Sequence, residues 1–336
     1  MPSDKKNPTA LLVKAIGVPG VCGSVCSQLT TKNFHFFLKL AEKNKIPLLF
    51  LRTVAPNFKN SSIKSSLLRY EESHQRTLDL IKFVAGLLEN EGTPYTIFKT
   101  IKPFPYVPSD VDVLLRSDQD LKTVVKALMA KGCIVLDGDT YGVTMFSPAH
   151  KMNIDITTQV AVSGIVYVNK KLLFDHVHEV EIDGTMVRTL EPHVDLLVVT
   201  GHSVFKEQMY TLSDYYTFVM SLQQWEKASK LADKFHLKPA LETVLKITET
   251  LTLNAFGSCN IITKRFSPLR ITHESTFRDK NIDMPKKYDL STILVDFSKK
   301  IATDPDTLRS LSSAFRSCCN PSFYLKLVEH VTREKY

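Results

Sequence analysis

Two short segments of alternating polar and apolar residues constrain the fold of this chain more than any other feature. Residues 109–115 read Ser-Asp-Val-Asp-Val-Leu-Leu, and residues 153–156 read Asn-Ile-Asp-Ile. Successive side chains of a strand point to opposite faces, so Asp110 and Asp112 share one face while the valines share the other. Both segments are therefore predicted to be strands, each with carboxylates on one face and apolar residues on the other.

The three carboxylates suggest a cation site if the two strands are neighbours. Side-by-side negative charges repel each other and need a cation or another partner. Carboxylate oxygens are the ligands that Mg²⁺ prefers, and two such ions can support phosphoryl or nucleotidyl transfer. Asp110, Asp112 and Asp155 are accordingly predicted to be metal ligands and catalytic residues, with Mg²⁺ or Mn²⁺ as the cofactor. The alternative is that they are solvated residues on an exposed sheet face.

Composition places the chain among ordinary globular proteins. It has 336 residues, of which 43% are hydrophobic and 23% charged, and this length suggests about two domains. The formal net charge of +8 suits an anionic partner such as a nucleotide or RNA, although a merely basic surface explains it equally well. Apolar runs are shorter than the roughly twenty residues that span a bilayer. A soluble protein without membrane contact is expected.

The cysteines indicate a reducing compartment. They form no Cys-x-x-Cys pair and no Cys/His spacing typical of zinc, which favours scattered free thiols and a cytoplasmic location. The six are Cys22, Cys26, Cys133, Cys259, Cys318 and Cys319.

Hydrophobic periodicity divides the chain into three parts. Residues 1–92 are predicted to form an N-terminal helical region that includes a long amphipathic helix over 63–89. Residues 93–190 combine strands with a helix after Ser117, where Asp120 completes a capping-box pattern. Residues 191–336 are again mainly helical, with a basic segment at 261–287. The overall expectation is an α+β fold.

This order of elements, together with its motifs, resembles the nucleotidyltransferase superfamily with the polymerase-beta-type fold. It is most similar to a nucleotidyltransferase-like family with helical flanks. The matching pieces are residues 40–49, Phe98 with Lys99, the two aspartate strands, and a helix opened by residues 190–192 that carries His202 and Lys206, with Asp214 on the next helix. The resemblance covers roughly residues 30–260.

The resemblance implies a small mixed-sheet palm between N-terminal helices and a C-terminal helical bundle. It also implies a metal-dependent enzyme that moves a nucleoside monophosphate from an NTP to RNA, a protein or a small molecule. In that reading Asp110 and Asp112 bind both metal ions. Asp155 completes the second metal site and helps to orient or deprotonate the attacking hydroxyl.

One departure from the family pattern concerns the turn before the Asp-x-Asp strand. Members generally carry a glycine there, which lets a bare backbone approach the triphosphate. Residues 99–109 contain three prolines and no glycine. The nucleotide is then expected to be held by side chains, namely those of Lys99, Thr100, Lys102, Ser109, Lys206 and Asp214. Alternatively, nucleotide binding is altered or lost and the protein is a catalytically degenerate binding or scaffold module. A phosphohydrolase using the same carboxylates is a third and weaker reading.

Other features receive structural interpretations. His176 and His178 have a metal-like spacing without further ligands nearby in sequence, and an exposed loop is predicted. His202 is predicted to be a satisfied helix histidine facing the core, and the aromatic residues at 210, 215, 216 and 225 are predicted to be core. Segment 261–287 is either an RNA-facing flap or a solvated loop. The oligomeric state and the preferred NTP stay open.

Overall fold

The computed structural model describes residues 7–18, 29–257 and 282–317, with the side chains of 313–317 left aside. Four helices precede the sheet: α1 (Pro8–Ile16), α2 (Thr31–Lys43), α3 (Pro47–Val54) and α4 (Ser61–Asn90). The predicted amphipathic helix is α4, which begins after the Asn60 side chain caps the Ser62 N–H at 2.8 Å. The apolar run that follows α2 is also helical, with Pro47 at the first position of α3, where a missing N–H costs nothing.

The strands are β1 (Tyr95–Ile97), β2 (Asp110–Leu115), β3 (Ile134–Gly138), β4 (Gly142–Ser147), β5 (Met152–Thr157), β6 (Val160–Val162), β7 (Ile165–Val168), β8 (Val177–Ile182), β9 (Thr185–Leu190), β10 (Met209–Tyr210) and β11 (Lys286–Lys287). The remaining helices are α5 (Asp118–Ala130), α6 (Lys170–Phe174), α7 (Pro192–Gly201), α8 (Leu212–Met220), α9 (Trp225–Ala232), α10 (Lys238–Phe256), α11 (Leu290–Thr303) and α12 (Pro305–Ser317).

Seven strands form one mixed sheet in the order β3-β4-β5-β2-β1-β9-β8. The β2 strand runs parallel to β5 and antiparallel to β1. The Ser117 hydroxyl accepts the Asp120 N–H at 3.2 Å, and the Asp120 carboxylate accepts the Ser117 N–H at 3.2 Å, so the predicted capping box starts α5. The α+β fold and the mixed-sheet palm between helical flanks are confirmed.

The alternation along β2 separates two cores. Val111 and Val113 pack in a cluster with α4 and α5. Leu114 belongs to the second cluster, which joins the N-terminal helices to the helices after the sheet. The carboxylates of Asp110 and Asp112 share the face of Leu114, so the sheet presents them toward the helices that follow it.

Asn44 ties three distant segments together at the end of α2. This side chain is fully buried, and its amide donates to the carbonyls of Leu40 (2.9 Å) and Met284 (3.1 Å). Its Oδ1 accepts the Leu212 N–H at 3.1 Å, and its backbone carbonyl accepts the Ser213 N–H at 3.1 Å. One buried amide thus fixes the start of α8 against α2.

Several details differ from the sequence expectations. The alternating segment around Asp155 forms β5, which ends at Thr157, and β6 is a separate strand that pairs with β7 outside the main sheet. His178 lies on β8 rather than in an exposed loop, because the β8–β9 hairpin pairs already from Val177 and Leu190. The aromatic residues predicted to be core are buried: Tyr210, Tyr215, Tyr216 and Trp225.

Some predictions fall on parts of the chain that the structure does not describe. The basic segment lies outside the described residues up to 281, and Lys286 and Lys287 form β11, which pairs with β10. Cys133 is buried and free, and the other five cysteines lie outside the described residues. Within the described ranges, the helices lack the combination of length and apolarity that crossing a bilayer requires.

Candidate active site

The sheet register brings the three predicted carboxylates to adjacent positions. In the parallel β2–β5 pair, Asp112 lies directly opposite Asp155, and Asp110 lies two residues earlier on the same face. The Thr144 hydroxyl on β4 donates to Asp155 Oδ1 at 2.7 Å, and the Ser109 hydroxyl donates to Asp110 Oδ1 at 3.1 Å. The parallel pairing of two strands far apart in sequence is what places these side chains together.

Lys99, in the turn after β1, is the residue that contacts this face most closely. Its ammonium group donates to Asp112 Oδ1 at 2.7 Å, and both side chains are largely buried, at 8% and 15% exposure. Its backbone N–H donates to Asp195 Oδ1 on α7 at 2.8 Å. The neighbouring Thr100 hydroxyl accepts the Asp112 N–H at 3.0 Å. The turn is thus fixed to β2 and α7 by three hydrogen bonds.

The backbone of Lys99 accounts for the missing glycine. Its φ is +60°, in the left-handed region that favours glycine, and this conformation costs a residue with a side chain about 1–2 kcal/mol. The turn therefore has glycine-like geometry at Lys99 although the sequence contains no glycine there. The side chain that replaces the glycine carries a positive charge into the site.

The pKa values of Asp110 and Asp112 are shifted in opposite directions. Burial, together with the nearby charges of Asp112 and Asp155, raises the pKa of Asp110 to about 7. Burial alone would raise the pKa of Asp112 as well, but the Lys99 ammonium outweighs it and holds that pKa below its usual range. The same contact raises the pKa of Lys99 against the opposing effect of burial. At neutral pH Asp112 is thus ionised, whereas Asp110 is about half protonated.

A cleft opens over this face, between the turn that follows β1 and the helices α7 and α8. Of the nine residues proposed from the sequence, eight line it: Lys99, Thr100, Lys102, Ser109, Asp110, Asp112, Lys206 and Asp214. Asp155 is paired with Asp112 in the sheet but is not among the residues that line the cleft. The cleft thus combines four lysines with four carboxylates, those of Asp110, Asp112, Glu207 and Asp214. Such a charge pattern suits a phosphorylated ligand bound together with a cation.

The helices α7 and α8 determine how Asp214, Lys206 and His202 lie in the cleft. The Asp214 carboxylate accepts the Thr211 N–H at 2.8 Å and caps α8, so the simple capping role weighed for this residue is present. Lys206 lies in the π-helical turn His202–Glu207 that continues α7. His202 faces the cleft rather than the core, because this turn directs its ring to within 3.4 Å of the Lys99 ammonium. Burial and the Lys99 charge lower the pKa of His202 to about 3, so its ring is neutral.

Sequence reasoning missed two charged residues of the site. Lys45 follows α2 and lines the cleft with a φ of +59°. Asp195 holds the Lys99 N–H from the first turn of α7. An acidic residue in the first turn of a helix is usually read as a complement to the helix dipole, so its sequence context contained no signal for this contact.

The donor chemistry of the aspartates suits Mg²⁺ or Mn²⁺, since all three offer hard oxygen ligands and a bound cation would favour the ionised form of Asp110. Lys99, however, already neutralises Asp112, so a bound cation shares that carboxylate with an ammonium group. Among the described residues, the carboxylate oxygens of the three aspartates do not all lie within 4.8 Å of one another. The potential ligand atoms of His176, Glu191 and His193 do lie within that distance of one another.

Two solved structures are similar to this chain. An antigenic nucleotidyltransferase-like protein from Paracoccidioides brasiliensis is 12% identical, and the match covers 50% of this chain and 93% of that protein, with a TM-score of 0.31. A STING-associated CdnE c-di-GMP synthase from Capnocytophaga granulosa is 13% identical, and the match covers 92% of this chain and 100% of that protein, with a TM-score of 0.30. No protein-family model and no curated protein matches the sequence. Both TM-scores are below 0.5 and both identities below 25%, so neither match assigns this chain to a family.

Proposed function

We propose that this chain is a metal-dependent nucleotidyltransferase that moves a nucleoside monophosphate from an NTP to an acceptor. The observation that carries the proposal is the β2–β5 register, which aligns Asp112 with Asp155 and leaves Asp110 and Asp112 in a cleft lined by lysines. One carboxylate on a strand is ordinary, but three adjacent ones are costly without a cation. A catalytic site offsets that cost when its ligands bind.

The proposed roles follow from position. Lys45, Lys102 and Lys206 bind the triphosphate, and the hydroxyl groups of Thr100 and Ser109 line the same cleft. Asp110, Asp112 and Asp155 would hold Mg²⁺ or Mn²⁺, which would supply positive charge to stabilise the leaving group.

In the transfer step the oxygen of the acceptor hydroxyl forms a bond to the α-phosphorus. The bond from that phosphorus to the pyrophosphate breaks, and the pyrophosphate leaves with the electron pair. The hydroxyl proton passes to the carboxylate of Asp155, the role that the resemblance implies for it; this residue lies opposite Asp112 on β5, next to the cleft rather than in its lining. RNA is the acceptor class that the net charge of +8 suits best, ahead of a protein or a small molecule.

A second candidate function has a specific observation in its favour. The buried Lys99–Asp112 pair, at 2.7 Å, provides an internal cation at a carboxylate that the enzyme reading assigns to metal. A protein that had lost catalysis and kept the fold as a binding or scaffold module would be stabilised by such a pair.

The two functions are separated by labelling. Intact protein is incubated with each of the four α-³²P-labelled NTPs, Mg²⁺ or Mn²⁺, and total RNA or total protein as acceptor. We expect incorporation that disappears in Asp110→Asn/Asp112→Asn and persists in Glu181→Gln, an exposed acidic residue on β8 of the same sheet. Absence of NTP and metal binding in calorimetry of the intact protein would refute the enzyme proposal and favour the scaffold.

A further inference from the structure

A second cluster of potential ligands lies at the other end of α7 from the cleft-lining His202. It consists of His176, Glu191 and His193, and none of the three lines the cleft. His176 immediately precedes β8, Glu191 immediately precedes α7, and His193 is the second residue of that helix. The Glu191 N–H donates to the His176 carbonyl at 2.9 Å, so the backbone itself holds the two ligand-bearing segments side by side.

The Glu191 carboxylate contacts both histidines, and its hydrogen bond to His176 is long. Glu191 Oε2 lies 3.4 Å from His176 Nδ1 and 3.2 Å from His193 Nε2. Hydrogen bonds between charged groups are shorter, at about 2.7–2.9 Å. A carboxylate that simply bridged two imidazoles would be drawn closer to at least one of them.

The same distances fit a tetrahedral metal ion. Ligand bonds of about 2.0–2.1 Å place tetrahedral donors about 3.3–3.4 Å apart, whereas octahedral ions with bonds of that length place adjacent donors about 3.0 Å apart. Two imidazole nitrogens and one carboxylate oxygen form a ligand set typical of Zn²⁺. The two rings lie edge to face, with an interplanar angle of 80°.

The surroundings supply a second and independent observation. His178, the second residue of β8, acts electrostatically on His193 and has a buried Nδ1 without a hydrogen-bond partner among the described residues. Buried ring nitrogens are nearly always satisfied, so an unsatisfied one indicates a missing group nearby. Lys227 also acts electrostatically on His193 and adds positive charge near the cluster. The Glu191 carboxylate is the negative group of the cluster and would offset the positive charge of the ion.

We propose that His176, Glu191 and His193 form a Zn²⁺ site that joins the start of β8 to the first turn of α7. The three protein ligands leave the fourth position of the ion to water, and the bound ion would hold the two segments together. Asp195, in the same helical turn as His193, accepts the Lys99 N–H at 2.8 Å, so an ion that fixes this turn also fixes the turn of Lys99 in the cleft.

The test uses the full-length chain and Zn²⁺ itself. After dialysis against Zn²⁺ we expect one equivalent of bound metal, and Co²⁺ in its place should give the strong visible d–d absorption of four-coordinate geometry. His176→Gln and His193→Gln should each lower the affinity at least about tenfold. His35→Gln, which changes an exposed histidine of α2, should leave it unchanged.

Two further measurements keep the result interpretable. Zn²⁺ at a hundredfold excess over its Kd should raise the Tm of the unaltered chain by about 4 °C and leave that of folded His193→Gln unchanged, with circular dichroism verifying the fold. Asp110→Asn/Asp112→Asn should still bind one equivalent of Zn²⁺, which distinguishes this site from the aspartate site in the cleft. Substoichiometric Zn²⁺, weak octahedral Co²⁺ spectra, or equal affinity in the histidine variants would each overturn the proposal and leave an ordinary polar cluster.

Discussion

Replacing Lys99 by methionine removes the ammonium group and keeps most of the aliphatic side chain. The Lys99 and Asp112 side chains are only 8% and 15% exposed, so the variant leaves a carboxylate buried without its closest counter-charge. Breaking a buried ion pair on one side costs about 3–5 kcal/mol. Unfolding entropies of about 2.1 cal/mol/K per residue, over 336 residues, amount to roughly 0.7 kcal/mol/K. The expected loss in Tm is therefore about 4–7 °C.

The assay is thermal unfolding of the purified variants with and without Mn²⁺. If Asp110, Asp112 and Asp155 bind a cation, Mn²⁺ should raise the Tm of Lys99→Met more than that of the unaltered chain, because the ion takes over the role of the ammonium. Lys230→Met is the matched control, since Lys230 pairs with Glu226 at 73% and 80% exposure and such surface pairs contribute about 0–1 kcal/mol. An unchanged Tm in Lys99→Met would refute the reasoning.

A backbone comparison at the same position tests the left-handed turn. Lys99→Gly and Lys99→Ala lose the same ammonium group, but only glycine adopts a φ of +60° without strain. Relief of the backbone strain is worth about 1–2 kcal/mol. This exceeds the extra cost of ordering glycine, about 0.5–1 kcal/mol, which arises from its greater conformational freedom in the unfolded chain. Lys99→Gly should thus be more stable than Lys99→Ala by about 0.5–1 kcal/mol in urea titrations. Equal stabilities would contradict the described backbone.

Four further outcomes are expected. The folded-state pKa of Asp110 is raised from 3.8 to about 7, so the unaltered chain loses stability relative to Asp110→Asn as the pH rises through that interval; parallel pH profiles of Tm would contradict this. Asn44→Ala leaves buried backbone groups without partners and should lower the free energy of unfolding by about 2–4 kcal/mol, measured by urea titration. Gly142→Ala places a Cβ 2.7 Å from the Ile156 carbonyl oxygen and should destabilise the chain. Gly86→Ala, which has open space inside α4, should stabilise it by about 0.5–1 kcal/mol in the same assay.

The α7 helix connects the two candidate sites. Its first turn carries His193 and Asp195, and the π-helical turn after it carries His202 and Lys206. A metal ion at the first turn of α7 and a nucleotide at the π-helical turn would therefore both contact this continuous helical segment. Zn²⁺ removal is accordingly expected to weaken NTP binding, which calorimetry of the metal-free chain would measure.

The sequence by itself determined the local structure that positions the carboxylates. Alternation of polar and apolar residues places Asp110 and Asp112 on one face of β2, and the Ser117–Asp120 capping box begins α5. Such features depend on the period of a strand or the first turn of a helix, and both are set by neighbours in the sequence.

Only the tertiary structure decided how the carboxylates are neutralised. The turn at Lys99 is left-handed because contacts with Asp112 and Asp195, from two other elements, hold it there. The cluster of His176, Glu191 and His193 likewise depends on a hairpin that brings the start of β8 to the start of α7. These arrangements arise from pairing between distant segments, whose free energy depends on packing that local sequence patterns do not encode.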